Sequence, residues 1–211
     1  MSDSESIHDV PLLPETIHTP FYCEENIYLL CKAFISQQQD VSAVFISNES
    51  KSVALWNQKL VKDSKSAVVW DYHVVLLLRS NNQHWIYDFD TRLLLPSLMR
   101  DYLFHTFRKD VPRSYQSLFR IVPGLAFVEN FASDRSHMLI DSNEPGEKSY
   151  RSPPPCYAAL RGRGAKLSNN LMKSFVCMTS SEETFGHVSD LGEMWQLADS
   201  AGILQADVEV Q

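Results

Sequence analysis

The chain has 211 residues, enough for one domain with a sizeable hydrophobic core. Hydrophobic residues make up 44% of it and charged residues 21%, ordinary shares for a globular protein. The formal net charge of −7 argues against a nucleic-acid partner, because phosphate backbones bind basic surfaces. The basic cluster RGRGAK at 161–166 is short and glycine-rich, and we interpret it as a solvated loop.

Membrane and secretion signals are missing from the sequence. No apolar run approaches the roughly 18 residues of a membrane span. The first twenty residues are acidic and polar, without the basic-then-apolar order of a signal peptide. We therefore expect an intracellular protein without a membrane partner, located in the cytoplasm or in both cytoplasm and nucleus, and monomeric by default.

The cysteines are scattered along the chain, at Cys23, Cys31, Cys156 and Cys177. They form no C-x-x-C pair, so the sequence predicts neither a zinc ribbon nor a thioredoxin-type redox site. In a reducing compartment all of them are expected to be thiols. Each cysteine then has to be core filler or a nucleophile, and Cys31, in an apolar helical stripe, is interpreted as core.

In chain order, residues 1–19 are expected to be a flexible leader, 20–200 a single domain and 201–211 a weakly ordered tail. An amphipathic helix is predicted over 25–38, because apolar residues recur there at helical spacing. β-Branched and aromatic residues then predict strands at 41–47, 51–56, 67–79, 84–90, 118–122 and 174–178. Further helices are predicted at 98–107, 125–131 and 189–198, the last with Ser189 as its N-cap, and a loop over 133–168. One helix followed by mainly antiparallel strands predicts an α+β fold.

The two strongest strand segments flank Asn81 and Asn82, which predicts a hairpin because Asn tolerates the left-handed turn conformation. If the turn is centred there, His73 lies directly opposite Asp90, with Asp88 on the diagonal. All three side chains then share one face of the sheet, because strand side chains alternate. A carboxylate next to a histidine fixes its tautomer and stabilises its charged form.

Cys23 lies just ahead of the first predicted helix, in the segment FYCEEN. Free N–H groups and the partial positive charge of a helix N-terminus favour a thiolate. Glu24 and Glu25 oppose ionisation by like charge, so they must point away or bind a cation. From spacing alone, a strand histidine and a lone cysteine are more often structural than catalytic. The residue pattern therefore leaves both a structural interpretation and a Cys-His-Asp site open.

Several sequence blocks are more informative than spacing alone, because they occur together in a characteristic order. They are YCEENIYLL (22–30), AVFISN (43–48), VVWDYHVVLLL (68–78), IYDFDT (86–91), NFASDRSHM (130–138) and PPP before a Cys-Tyr pair (153–157). Together they resemble the protein N-terminal glutamine amidohydrolase family from about Tyr22 to Tyr157. After Tyr157 the chain keeps only a loose likeness, so contacts from that region are not carried over.

The resemblance implies an enzyme that converts an N-terminal glutamine on a polypeptide into glutamate and releases ammonia, a step that feeds the arginine branch of the N-degron pathway. It implies an α/β fold related to the transglutaminase and papain-like core, with the cysteine helix packed on the sheet. By the resemblance, Cys23 is the nucleophile, His73 the general base and Asp88 the acid that orients His73. Asp90 is kept as a supporting or substrate-contacting residue. The partners implied are polypeptides with a free N-terminal glutamine, and no cofactor is expected.

A free substrate α-ammonium needs a carboxylate or carbonyl partner, for which Glu24, Glu25 and Asp90 are candidates. No metal is expected, because the other histidines lack ligand spacing. These histidines, interpreted as structural, are His84, His105, His137 and His187. In the SDRSHM block, Asp134 and His137 are interpreted as polar loop scaffolding.

Two alternative functions remain open from the sequence. One is a different cysteine enzyme of the same fold, a peptidase or an acyltransferase, because its catalytic residues would be the same. The other is a non-catalytic module that binds N-terminal residues in the same acidic pocket.

Overall fold

The computed structural model describes residues 10–63, 65–141 and 147–200. The strands are β1 (Asp40–Ser47), β2 (Val53–Leu55), β3 (Val68–Trp70), β4 (His73–Ser80), β5 (Gln83–Tyr87), β6 (Ser97–Leu98), β7 (Leu118–Pro123), β8 (Leu139–Asp141), β9 (Lys148–Tyr150) and β10 (His187–Ser189). The α-helices are α1 (Cys23–Ser36), α2 (Met99–Thr106), α3 (Gly124–Asn130) and α4 (Leu191–Ser200). Shorter helical segments are the 3-10 turns Arg113–Tyr115 and Ser136–Met138 and the π-helix Leu171–Val176.

A six-stranded sheet in the order β10-β7-β1-β4-β5-β6 organises the fold, and each of its pairings is antiparallel. Two-stranded ribbons, β2 with β3 and β8 with β9, lie outside it. The predicted α+β class is therefore confirmed. The relation to a transglutaminase or papain-like core stays a prediction.

The central strands are largely apolar because both faces of the sheet are covered. On one face, Phe45, Val74 and Leu76 pack against α1, α3 and the π-helix. On the other face, alternate residues such as Val44 and Val75 pack against α2 and α4. Strand alternation thus divides the core into two layers on either side of one sheet.

The predicted β4–β5 hairpin has the predicted register. Ser80 pairs with Gln83, and Leu76 pairs with Tyr87. Asn81 and Asn82 have positive φ angles of 49° and 56°, the conformation for which the turn was predicted.

Two strand predictions around this hairpin were wrong in extent. The segment predicted as one strand over 67–79 is divided into β3 and β4, which pair with different partners. The strand predicted over 84–90 ends at Tyr87. The ladder therefore stops before it reaches the aspartates, and the predicted direct pairing of His73 with Asp90 does not form.

Two predictions in the C-terminal region were also wrong. Residues 174–178, predicted as a strand, belong largely to the π-helix, because Phe175 packs into an aromatic cluster with Phe45 and Phe127. Ser189 ends β10 and does not cap α4. Asp190 takes that place: its side chain accepts the Glu193 N–H at 2.9 Å, and the Glu193 side chain accepts the Asp190 N–H at 2.8 Å.

Residues 10–19 contain no helix or strand, yet the Tyr87 hydroxyl donates to the Pro11 carbonyl and Asn26 bonds both backbone groups of Thr19. The rest of the predicted leader, 1–9, and the predicted tail, 201–211, lie outside the described residues. Within the described ranges, every helix is too short or too polar to span a membrane.

Arg120 on β7 is fully buried and attaches the C-terminal region to the sheet. Its guanidinium donates to the carbonyls of Cys177, Thr179 and Phe185. These acceptors lie after Tyr157, beyond the recognisable sequence blocks, so a core residue fixes a chain path that local sequence does not specify.

Replacing Arg120 with Met should destabilise the fold by about 2–4 kcal/mol, because three carbonyls lose a charged donor. Urea denaturation followed by tryptophan fluorescence measures this loss. The matched control is Arg100→Met, since Arg100 is exposed and pairs with the exposed Asp199. That pair should contribute less than about 1 kcal/mol. Equal losses for the two variants would show that Arg120 does not anchor the segment.

Candidate active site

His73 and Asp88 form a fully buried pair at the end of the hairpin. The His73 Nε2 lies 2.8 Å from the Asp88 Oδ1. Asp88 is the residue directly after β5, at the point where the chain leaves the ladder. Asp88 also accepts from the Tyr102 hydroxyl at 2.9 Å, from Gln58 Nε2 at 3.2 Å and from the Asp90 N–H at 2.9 Å.

These contacts set the charge states of the pair. Burial acts to raise the pKa of Asp88, but the His73 charge and the donated hydrogen bonds outweigh it and lower that pKa. Burial acts to lower the pKa of His73, but the Asp88 charge and hydrogen bond outweigh it and raise that pKa. The carboxylate therefore stays ionised and favours a protonated imidazole.

The remaining imidazole nitrogen is free to act. Among the described residues, the buried His73 Nδ1 has no hydrogen-bond partner. The indole ring of Trp70 stacks on the imidazole, with ring centroids 4.9 Å apart and planes 22° apart. Trp70 on one side and Asp88 on the other fix the ring, so Nδ1 has a defined direction.

Cys23 is the first residue of α1, and its side chain lies in the core layer that contains Val74, the neighbour of His73. Burial raises the pKa of the thiol well above its usual value, and the negative charges of Glu24 and Asp90 raise it further. A hydrogen bond from the Val74 backbone acts in the opposite direction. The thiol is therefore neutral at rest, and the predicted helix-terminus effect does not outweigh burial and the acids.

The two acids after Cys23 are buried and have different surroundings. Both oxygens of Glu25 accept from the Arg135 guanidinium at 2.8 Å. Glu24 lies against the thiol: its Oε2 is 3.7 Å from the Cys23 sulfur and accepts from the Tyr72 hydroxyl at 3.1 Å. Glu25 is thus satisfied within the protein, whereas Glu24 faces the cysteine.

Asp90 lies beside the histidine pair. One ligand atom from each of His73, Asp88 and Asp90 falls within 4.8 Å of the others. A cation could approach this group, but the nearest atoms of His73 and Asp88 are already bonded to each other. Burial raises the pKa of Asp90, which is held less firmly ionised than Asp88.

Sequence reasoning missed several residues that hold the site together. Gln58 and Tyr102 bond Asp88, Trp70 stacks on His73, and Arg135 pairs with Glu25. Trp70 and Arg135 lie inside recognisable sequence blocks, so they could have been found. Gln58 and Tyr102 come from separate elements and carry no local signal.

The residues that the sequence analysis interpreted as structural lie in different surroundings. Asp134 accepts from the Ser136 N–H and from Asn169, as expected for loop scaffolding. His84 bonds the Leu197 carbonyl, and His105 is exposed. His137 is different, because its Nε2 lies 3.3 Å from Glu24 Oε1.

Comparison with known proteins identifies the family. Residues 18–198 match the family model described as N-terminal glutamine amidase. The chain belongs to this family. It is 35% identical over 192 residues to a protein N-terminal glutamine amidohydrolase of Danio rerio, covering 88% of this chain and 87% of the relative. It is 36% identical over 175 residues to the protein of that name in Homo sapiens, covering 78% and 82%. The plant relative of that name, from Arabidopsis thaliana, is 36% identical over 176 residues, covering 78% and 76%.

Family membership confirms the predicted resemblance and the prediction that the chain is an enzyme. The match extends beyond Tyr157, where the sequence blocks became weak, and includes the π-helix and most of α4. The catalytic domain predicted over 20–200 stays a prediction, although the family match covers nearly the same range.

The electrostatics of the thiol can be measured directly. Replacing Glu24 with Gln removes the nearest negative charge, so the pKa of Cys23 should fall and alkylation by iodoacetamide should begin at lower pH. The measurement uses a Cys156→Ser, Cys177→Ser background, because these two cysteines are the more exposed ones. Glu182→Gln, which removes an exposed negative charge, is the control and should leave the profile nearly unchanged. An unshifted profile in Glu24→Gln would contradict the assigned charge effect.

Proposed function

We propose that the chain hydrolyses the side-chain amide of an N-terminal glutamine on proteins and peptides, giving N-terminal glutamate and ammonia. Family membership supports the reaction, and the observation that carries it to this site is the buried His73 with Asp88 on one nitrogen and a free second nitrogen. The enzyme would act as a monomer in the cytoplasm, or in the nucleus as well, through the single domain at 20–200. Its product would feed the arginine branch of the N-degron pathway.

The proposed core is of the transglutaminase and papain type. A helix that begins at Cys23 packs against the strand that begins at His73, and this arrangement supports the proposal. Cys23 is the proposed nucleophile, His73 the general base and Asp88 the residue that orients the imidazole.

In the first half-reaction, His73 Nδ1 takes the thiol proton while the sulfur attacks the carboxamide carbon of the substrate. The thiol is neutral at rest, so proton transfer accompanies attack. The C–N bond then breaks as the proton on His73 moves to the departing nitrogen. Ammonia is released, and the acyl group remains on Cys23 as a thioester.

In the second half-reaction, His73 takes a proton from water, and the resulting hydroxide attacks the thioester carbonyl. The C–S bond breaks, the product leaves as N-terminal glutamate, and the proton returns to the sulfur. In both half-reactions an oxyanion develops, and the backbone N–H of Cys23, in the first turn of α1, is a candidate donor to it.

Selection for a chain N-terminus requires recognition of the free α-ammonium. Among the negative charges that raise the pKa of Cys23, those of Glu24 and Asp90 have the largest effects. These two residues are therefore the proposed partners of this cation. Glu25 was a third candidate. We propose that it instead holds Arg135, because both of its oxygens accept from that guanidinium.

The reaction is tested with three peptides that begin with Gln, Asn and acetyl-Gln. Ammonia should be released from the Gln peptide, with a mass gain of about 1 Da and an intact backbone, as hydrolysis of the acyl-enzyme requires. Release from the acetylated peptide should be far slower, because its α-ammonium is missing. Cys23→Ala should abolish release while circular dichroism shows an intact fold.

The same experiment separates the alternatives. Peptide cleavage would identify a peptidase, and incorporation of an added amine would identify an acyltransferase. Near wild-type turnover by Cys23→Ala would refute the nucleophile assignment, and biological activity unaffected by that change would indicate a binding module.

The two aspartates are separated by rate and by pH dependence. Asp88→Asn should lower kcat/KM by about 10³-fold or more, because the imidazole loses its orientation and the charge that stabilises its protonated form. Asp90→Asn should lower kcat/KM far less. His73 must be neutral to act as base, so activity rises as pH increases through its raised pKa.

Loss of the Asp88 charge lowers that pKa, and the acidic limb of the kcat/KM profile should move to lower pH in Asp88→Asn. The shift in Asp90→Asn should be smaller, since Asp90 contributes the smallest of the effects on this pKa. A larger loss of rate in Asp90→Asn than in Asp88→Asn would make Asp90 the orienting acid.

A further inference from the structure

Next to the proposed nucleophile lies a second polar cluster, formed by Glu24, Tyr72 and His137. The His137 Nε2 is 3.3 Å from Glu24 Oε1, but the two are not aligned as a hydrogen bond. Both ring nitrogens of His137 and the Oε1 of Glu24 therefore lack a partner within the described part of the chain. The Glu24 side chain is fully buried, and that of His137 is 15% exposed.

Such unsatisfied atoms are costly, because a buried acceptor without a donor loses its hydration and gains nothing in return. The other oxygen of Glu24 is satisfied by Tyr72 and lies 3.7 Å from the Cys23 sulfur. The unpartnered Oε1 thus belongs to the same carboxylate that lies against the reacting sulfur, and a carboxylate oxygen without a partner points to a ligand that is a hydrogen-bond donor.

The loop that carries His137 is fixed in place. Arg135 has a left-handed φ of 59°, and its guanidinium is bound by both oxygens of Glu25 on α1. Asn169 donates to Asp134 and Ser136 in the same turn. These contacts attach the turn to the helix that bears Cys23, so the separation of His137 from Glu24 is set by the fold.

A carboxylate oxygen and the unprotonated nitrogen of a neutral imidazole are both acceptors, and a primary ammonium group offers three donors. In an N-terminal glutamine, four bonds separate the α-nitrogen from the carboxamide carbon, a span of at most about 5 Å. When that carbon is at Cys23, the α-nitrogen falls within reach of Glu24, which adjoins the same sulfur.

We propose that His137 is a substrate-binding residue that, together with Glu24, holds the α-ammonium of the substrate and so restricts the enzyme to chain N-termini. The inference rests on the proposed function for the identity of the substrate. It assigns His137 a role in specificity rather than in loop scaffolding.

The test compares a Gln-starting peptide with its des-amino analogue, which carries hydrogen in place of the α-amino group. Binding of each peptide is measured calorimetrically on protein with the Cys23→Ala change, and turnover is measured on protein with Cys23 intact. His137→Phe keeps a ring beside Tyr72 but removes the acceptor nitrogen of the imidazole. Loss of that single acceptor should weaken binding of the Gln peptide roughly ten- to hundredfold, as for loss of a charge-assisted hydrogen bond, and raise its KM similarly.

The des-amino peptide should bind the Cys23→Ala protein equally weakly with and without the His137→Phe change. His137→Gln, which keeps an acceptor, should restore most of the preference for the α-amine. His105→Phe is the matched control, because His105 is exposed on α2. This change should alter the binding and turnover of neither peptide.

Equal losses for both peptides in His137→Phe would show a structural role and overturn the inference. So would equal binding of the two peptides by the Cys23→Ala protein. If wild-type protein released no ammonia from the Gln peptide, the proposed reaction would fail. A preference for the α-amine that disappears in His137→Phe would then still support the assignment of His137.

Discussion

The site depends on the cost of burying one carboxylate. Asp88 is almost completely enclosed, and an ionised carboxyl group in such a place is stable only if several donors compensate for its lost hydration. The donors come from His73 on β4, Tyr102 on α2, Gln58 and the backbone of Asp90. Because each belongs to a different part of the chain, the orientation of the imidazole is fixed only when the sheet and α2 are assembled.

The same requirement explains why the hairpin ends where it does. If β5 continued in register, Asp90 would face His73 and Asp88 would lie on the diagonal. The strand stops at Tyr87 instead, and the turn that follows lets Asp88 approach the imidazole while its Oδ1 accepts the Asp90 N–H. Satisfying the carboxylate from two sides requires this departure from the ladder.

Sequence reasoning was accurate where structure is local. The α+β order, the hairpin register and the asparagine turn all follow from periodicity and turn chemistry, and the structure has each of them. It failed where long-range packing determines the secondary structure. Packing of Phe175 in the aromatic cluster stabilises a helix in a segment that has strand propensity.

The site itself was only partly predictable, because its supporting contacts join positions far apart in the chain. The pairing of Arg135 with Glu25 spans 110 residues, and the approach of His137 to Glu24 is equally remote. Single-sequence patterns have periods of a few residues, so they carry no information about such contacts. The resemblance assigned catalytic roles to Cys23, His73 and Asp88 as a set, whereas spacing alone left a structural role open for the cysteine and the histidine.

The acids around Cys23 have a further physical consequence under the proposed function. In the resting protein, burial and the charges of Glu24 and Asp90 hold the thiol neutral. A substrate ammonium bound between these acids would offset their charge at the moment when the sulfur must become negative. Binding the correct substrate would thus lower the cost of ionising the nucleophile, whereas an acetylated N-terminus would leave that cost unchanged. The acids that oppose a permanently reactive thiol would then restrict its activation to chains with a free N-terminus.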